Sequence, residues 1–153
     1  MKIEERIKEL GYELPEISVP AHPYIPVAVF DRVAYISGQV AKVDGKVMMS
    51  GSVPDEISVE DAQKCAVQAT LQALAYLKAE IGDLDRVAKF LKVTGYVYCK
   101  PGFDKQPQVI NACSVLLQEI FGERGKHARA AIGMAGLPGC TPVEIEFVAA
   151  LKD

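Results

Sequence analysis

The stretch from Ser58 to Gly82 constrains the fold more than any other part of this chain. Ser58-Val59-Glu60-Asp61 resembles a capping box, with Asp61 in place of the usual Glu or Gln. Behind it, Ala62, Cys65, Ala66, Ala69, Ala73, Leu74 and Leu77 recur at helical spacing, and Gly82 marks a stop. A helix is therefore expected from Val59 to about Glu80. Its apolar stripe is made mostly of small side chains, so its axis can lie close against a sheet.

The flanking segments supply that sheet. Residues 2–10 fit a short helix with Ile3, Ile7 and Leu10 on one face and Gly11 as its end. Residues 13–26 hold Pro15, Pro20, Pro23 and Pro26, which predicts extended, irregular chain. Val27–Phe30 and Val33–Ser37 read as strands joined at Asp31-Arg32, and Gly38-Gln39 suggests a bulge or a close backbone approach. Asp44-Gly45 is a hairpin turn into Lys46–Met49. Val87–Tyr98 reads as a long strand and Gln106–Phe121 as a second helix ended by Gly122. Residues 128–134 and 143–151 are the last two strands.

This order predicts an α+β fold, one mixed sheet with two helices packed on one face. Val27, Val29, Ile36, Val93 and Ile145 are expected to leave the other face apolar and uncovered. Burial against sister subunits in a closed homo-oligomer would cover it.

The net charge of −3 gives no basic face for phosphates, which argues against nucleic-acid binding. No apolar run approaches the roughly 20 residues of a membrane span, and the N-terminus lacks a signal-peptide core, so a cytoplasmic location is expected. Cys65, Cys99, Cys113 and Cys140 show neither a CxxC pair nor zinc spacing, and read as free, mostly buried thiols.

Chemistry concentrates toward the C-terminus. Arg129 opens one strand, a Gly/Pro/Cys turn follows at Gly136–Pro142, and Glu144 lies in the alternating strand beyond. The turn signals suggest a hairpin-like return, which would let Arg129 and Glu144 face one cleft. Such a pair suits a small carboxylate-bearing substrate with a water beside it.

Several ordered segments carry a resemblance. They are Pro23-Tyr24, Tyr35-Ile36-Ser37-Gly38-Gln39-Val40, Phe90-Leu91-Lys92-Val93-Thr94-Gly95-Tyr96-Val97 and Val109-Ile110-Asn111. Phe121-Gly122, Ala128-Arg129, Leu137-Pro138 and Val143-Glu144-Ile145-Glu146 follow in order. From about residue 20 to 151 the chain resembles the YjgF/Rid family, the reactive-intermediate deaminases also called liver perchloric-acid-soluble proteins. Residues 1–22 then form an N-terminal extension of a single domain spanning 1–153. The extension and the sequence Gly125-Lys126-His127-Ala128-Arg129 are similar to a longer, less characterised branch.

The resemblance implies a chorismate-mutase-like homotrimer with clefts between subunits. It implies hydrolysis of 2-imino or enamine acids to 2-keto acids and ammonia, with no metal and no cofactor. Arg129 matches the family's substrate-binding arginine, Glu144 its site glutamate, and Tyr24 a tyrosine that reaches the cleft. Ser37 and Gly38 match the turn beside the substrate, and Asn111 matches the cleft rim. His22 and His127 are further acid/base candidates. Ala131 stands where the best-studied members have a cysteine, and Gly133 where they have an acidic residue. That altered wall motivates an alternative, a trimer that binds 2-keto acids without turnover. An endoribonuclease, a label the family also carries, ranks last.

Overall fold

The computed structural model describes residues 2–153. Helix α1, Ile3–Glu9, buries Ile3 and Ile7. It is fastened to a 3-10 turn at Leu84–Arg86: Ile3 N donates to Asp85 Oδ2 at 3.2 Å, and Leu84 N donates to Glu4 Oε1 at 3.3 Å. The N-terminal extension thus begins as a packed element. The chain then runs extended to Pro26, held where the Tyr76 hydroxyl donates to the Ser18 carbonyl at 2.8 Å.

Strand β1, Val27–Phe30, turns through Asp31 and Arg32 into β2, Val33–Val40. Both turn residues take left-handed backbone (φ 46 and 64), whose twist matches that of the flanking strands. Strand β3, Lys42–Val43, and β4, Lys46–Val47, pair around Asp44-Gly45. They form a ribbon of their own rather than joining the main sheet.

Helix α2, Val59–Ile81, starts as its capping sequence requires: Asp61 N donates to Ser58 Oγ at 3.1 Å. Gly82 ends it at φ 85. Ala62, Cys65, Ala66, Ala69 and Ala73 are fully buried, so α2 lies close on the sheet. Strand β5, Val87–Tyr98, helix α3, Gln106–Phe121, strand β6, Ala128–Met134, and strand β7, Val143–Leu151, complete the fold. The sheet order is β1-β2-β7-β5-β6. The pair β5–β6 is parallel, with α3 as its crossover, and the other pairs are antiparallel. Phe90 sits at the core's centre, edge-on to Phe121 at 5.0 Å and to Phe147 at 5.5 Å.

Two expectations are corrected here. The strands carrying Arg129 and Glu144 are not a hairpin: β6 is an edge strand, and β5 lies between it and β7. The reason lies in the side chains. Val143, Ile145, Phe147, Ala149 and Leu151 are all buried, a load that suits a strand with neighbours on both sides. The Ala/Gly-rich β6 buries none of its residues fully and falls to the edge.

The second correction concerns the sheet's open face. Val27, Ile36, Val93 and Ile145 are all buried and belong to the core under the helices, while Val29 is exposed at the sheet's end. The alternate positions form the open face, and it is mixed: Tyr35, Lys92, Thr94, Tyr96, Glu144, Glu146 and Val148. The case for an oligomer therefore cannot rest on those apolar residues.

Candidate functional site

Two polar clusters stand on opposite faces of the sheet. The first is built on β7. Glu144 is level with Val40 of β2 and Tyr96 of β5, on the open face. Beside it, the pairing of β2 with β7 slips between Ile36 and Gln39, which is the bulge expected at Gly38. The Glu144 carboxylate lies directly over that glycine. A Cβ at Gly38 would sit 2.6 Å from Glu144 Oε1, so only glycine leaves it this place.

Ser37 ties the proline-rich arm to the same spot. Its hydroxyl donates to the Ile25 carbonyl at 2.8 Å, and its amide donates to the Pro26 carbonyl at 2.8 Å. This brings Tyr24 and His22 to the rim of a cavity of about 570 Å³. Gly38, Gln39, Lys42, Gly139 and Glu144 complete the part that bears on chemistry. Lys42 was not among the residues expected there; it enters because the β3–β4 ribbon borders the cavity through Lys42 and Val47.

Burial, followed by the neighbouring charge of Glu146, raises the pKa of Glu144 above the ordinary carboxylate value. Such a group exchanges protons more readily near neutrality. Glu146 is different: its Oε1 accepts a hydrogen bond from the Tyr96 hydroxyl at 2.8 Å, and it lies in a separate depression with Lys92 and Thr94. Burial and that glutamate push the Tyr96 phenol up to about 12. Structure thus separates two glutamates that alternation alone leaves equivalent.

The second cluster lies where β6 meets α3. Arg129 is level with the buried Val93, so its side chain is on the helix-bearing face. Its Nη1 donates to Asn111 Oδ1 at 2.8 Å and to Ser114 Oγ at 3.2 Å. Ser114 also lies 2.9 Å from His127 Nε2, and His127 Nδ1 lies 2.7 Å from the Gly125 carbonyl. Burial, aided by the Arg129 charge, lowers the His127 pKa against the pull of the Gly125 carbonyl. Ser114 was not expected from the sequence, since one serine inside a helix carries no signal without its tertiary neighbours.

Further along β6, a Cβ at Gly133 would sit 2.8 Å from Cys99 Sγ and 3.0 Å from Gln106 Nε2. Those side chains occupy the space that an acidic residue would take. Cys65, Cys99 and Cys113 are buried free thiols and Cys140 is exposed; burial pushes Cys113 up to about 12. Glu4, Asp83 and Asp85 gather their carboxylates near α1, where they accept backbone amides and meet Lys78 and Arg124.

Tyr24, Ser37, Gly38, His22 and Glu144 are therefore brought together, as are Asn111, His127 and Arg129. The two groups do not meet within one chain. Arg129 has no ion-pair partner among the described residues, and no basic side chain is bonded to Glu144 among them.

Residues 4–144 match the family described as "YjgF/chorismate mutase-like, putative endoribonuclease". Protein TCP17 of Trypanosoma cruzi is 33% identical over 153 residues, 99% of this chain and 96% of that protein. The Agrobacterium tumefaciens protein Atu1372, of unknown function, is similar in structure at a TM-score of 0.91 and 39% identity, covering 98% of this chain and 92% of its own. A Shewanella oneidensis MR-1 protein described as a putative endoribonuclease has a TM-score of 0.94 at 28% identity, covering 99% and 100%.

Proposed function

This chain belongs to the YjgF/chorismate mutase-like family, and from that premise we propose that it hydrolyses 2-imino acids to 2-keto acids and ammonia. The site is a cleft between subunits of a homotrimer, where Arg129 of one subunit meets Glu144 of the next. One observation carries this reading: Arg129, with no ion-pair partner among the described residues, and Glu144, a carboxylate of raised pKa, lie on opposite faces of one sheet. A single chain cannot close them on one small molecule, which is what calls for a second copy in the proposed site.

In the closed site the Arg129 guanidinium holds the substrate carboxylate through its planar fork. Water held by Glu144 attacks the iminium carbon and gives its proton to that carboxylate. The resulting carbinolamine takes the proton back on nitrogen. The C–N bond breaks as the remaining hydroxyl gives its proton to Glu144 and becomes the carbonyl, and the departing ammonia takes up that proton through solvent, which leaves Glu144 deprotonated again. Atoms and charge balance between iminium plus water and keto acid plus ammonium. Positioning and fixed charges supply the catalysis. The Tyr24 hydroxyl, on the rim of the same cavity, completes the hold on the water.

The altered wall at Ala131 and Gly133 favours a second reading, a trimer that binds 2-keto acids without turnover. RNA cleavage fits less well, because the cavity lining holds a single lysine, Lys42, together with the Glu144 carboxylate. The test is imine diversion. An amino-acid oxidase generates 2-imino acids, semicarbazide traps them, and the trapped product is followed with and without protein. Wild type is expected to divert imine from the trap. Arg129→Ala is expected to lose roughly a hundredfold or more of that activity, since a partner of a desolvated charge pair is gone. Tight keto-acid binding with no diversion of any imine would favour the second reading instead.

A further inference from the structure

We propose that His127 and Ser114 are positioning residues for Arg129, forming a one-directional hydrogen-bond relay that aims its guanidinium out of the chain. The assignment rests on Arg129 being the carboxylate anchor named above.

The direction of the relay follows from one contact. His127 Nδ1 faces the Gly125 carbonyl at 2.7 Å, and a carbonyl can only accept. Nδ1 therefore carries the proton. With burial and Arg129 both disfavouring a second proton, Nε2 is a bare acceptor. The Ser114 hydroxyl, 2.9 Å away, must then donate to it. That turns the lone pairs of Ser114 toward Arg129, whose Nη1 donates to Oγ at 3.2 Å and to Asn111 Oδ1 at 2.8 Å.

Both hydrogens of Nη1 are thus committed inside the chain. The donors on Nη2 and Nε have no partner among the described residues, and they form a fork suited to one carboxylate. Asn111, expected to touch substrate, acts here as a brace.

The sequence Gly125-Lys126-His127-Ala128-Arg129 has a physical reason in this geometry. A Cβ at Gly125 would collide with the Leu117 carbonyl, so glycine lets the turn press directly on α3. Two residues on, His127 lies over Ser114, and two further, Arg129 lies over Asn111 and Ser114. Asn111 and Ser114, three apart on α3, offer one face to all of it.

The experiment compares wild type with Ser114→Ala, His127→Leu and His127→Gln. Glutamine places an amide oxygen near the position of Nε2, so it can still accept from Ser114. In imine hydrolysis, Ser114→Ala and His127→Leu are expected to raise KM about tenfold with kcat within about threefold, and His127→Gln to recover most of the loss. A merely structural role would lower thermal stability without that split or rescue. Unchanged KM in folded Ser114→Ala and His127→Leu overturns the relay.

A second readout is independent of turnover. The chain has two histidines, so nitrogen NMR assigns His127 by comparison with His127→Gln. The relay requires the Nδ1-protonated neutral tautomer, together with slowed rotation of the Arg129 guanidinium that Ser114→Ala releases. Absence of imine hydrolysis with this signature present would refute the proposed function and keep the relay. The Nε2-protonated tautomer would refute the relay alone.

Discussion

At the scale of single residues, the proposed chemistry turns on how Glu144 is held. Its pKa is raised by burial first and by Glu146 second. In the proposed mechanism deprotonated Glu144 is the base, so activity should fall as pH drops through that raised value. Glu146→Gln removes the neighbouring charge while leaving an acceptor for the Tyr96 hydroxyl. The acid limb of the kcat/KM profile is then expected to move to lower pH, and an unmoved limb would mean that Glu144 is not the titrating group. Gly38→Ala tests placement rather than charge. The added Cβ meets Glu144 Oε1, so the carboxylate must shift, and kcat is expected to drop on the order of tenfold or more with little change in melting temperature. Arg129, Glu144, Gly38 and Tyr24 are legible as candidates because the resemblance fixes their positions. Ser114 is not, because its meaning arises only when β6 folds back along α3.

At the scale of elements, α2 and α3 are legible because caps, small-residue stripes and stop glycines are local signals. Ser58→Ala should remove the bond to Asp61 N and cost about 1 kcal/mol, read as a lower urea midpoint at unchanged slope. Strand order is a different kind of information. Residues 136–142 look like a return turn, and they include a 3-10 turn at Pro138–Cys140. Nothing local to them says that β5 lies between the strands they join. The stronger clue is in the strands themselves: the full apolar alternation of β7 marks an inner strand, and the alanines and glycine of β6 mark an edge. The same confusion of partner and face led Val27, Ile36, Val93 and Ile145 to be expected on the open side, when they form the floor under the helices.

At the scale of the whole molecule, the separation of Arg129 from Glu144 is the central fact. It cannot be read from spacing along the chain, because it depends on which strand lies between and which face each residue takes. It also makes the account testable without knowing the natural substrate. Arg129→Ala and Glu144→Gln chains, each inactive as a pure assembly, are to be co-expressed with different tags and the mixed assemblies assayed for imine hydrolysis. If each site draws its arginine from one subunit and its glutamate from the next, random equal mixing leaves about a quarter of the sites intact, and about that share of wild-type activity should return. If the two chains co-purify and the mixture stays as inactive as its parents, the two half-sites do not serve one another across subunits, and the account is wrong.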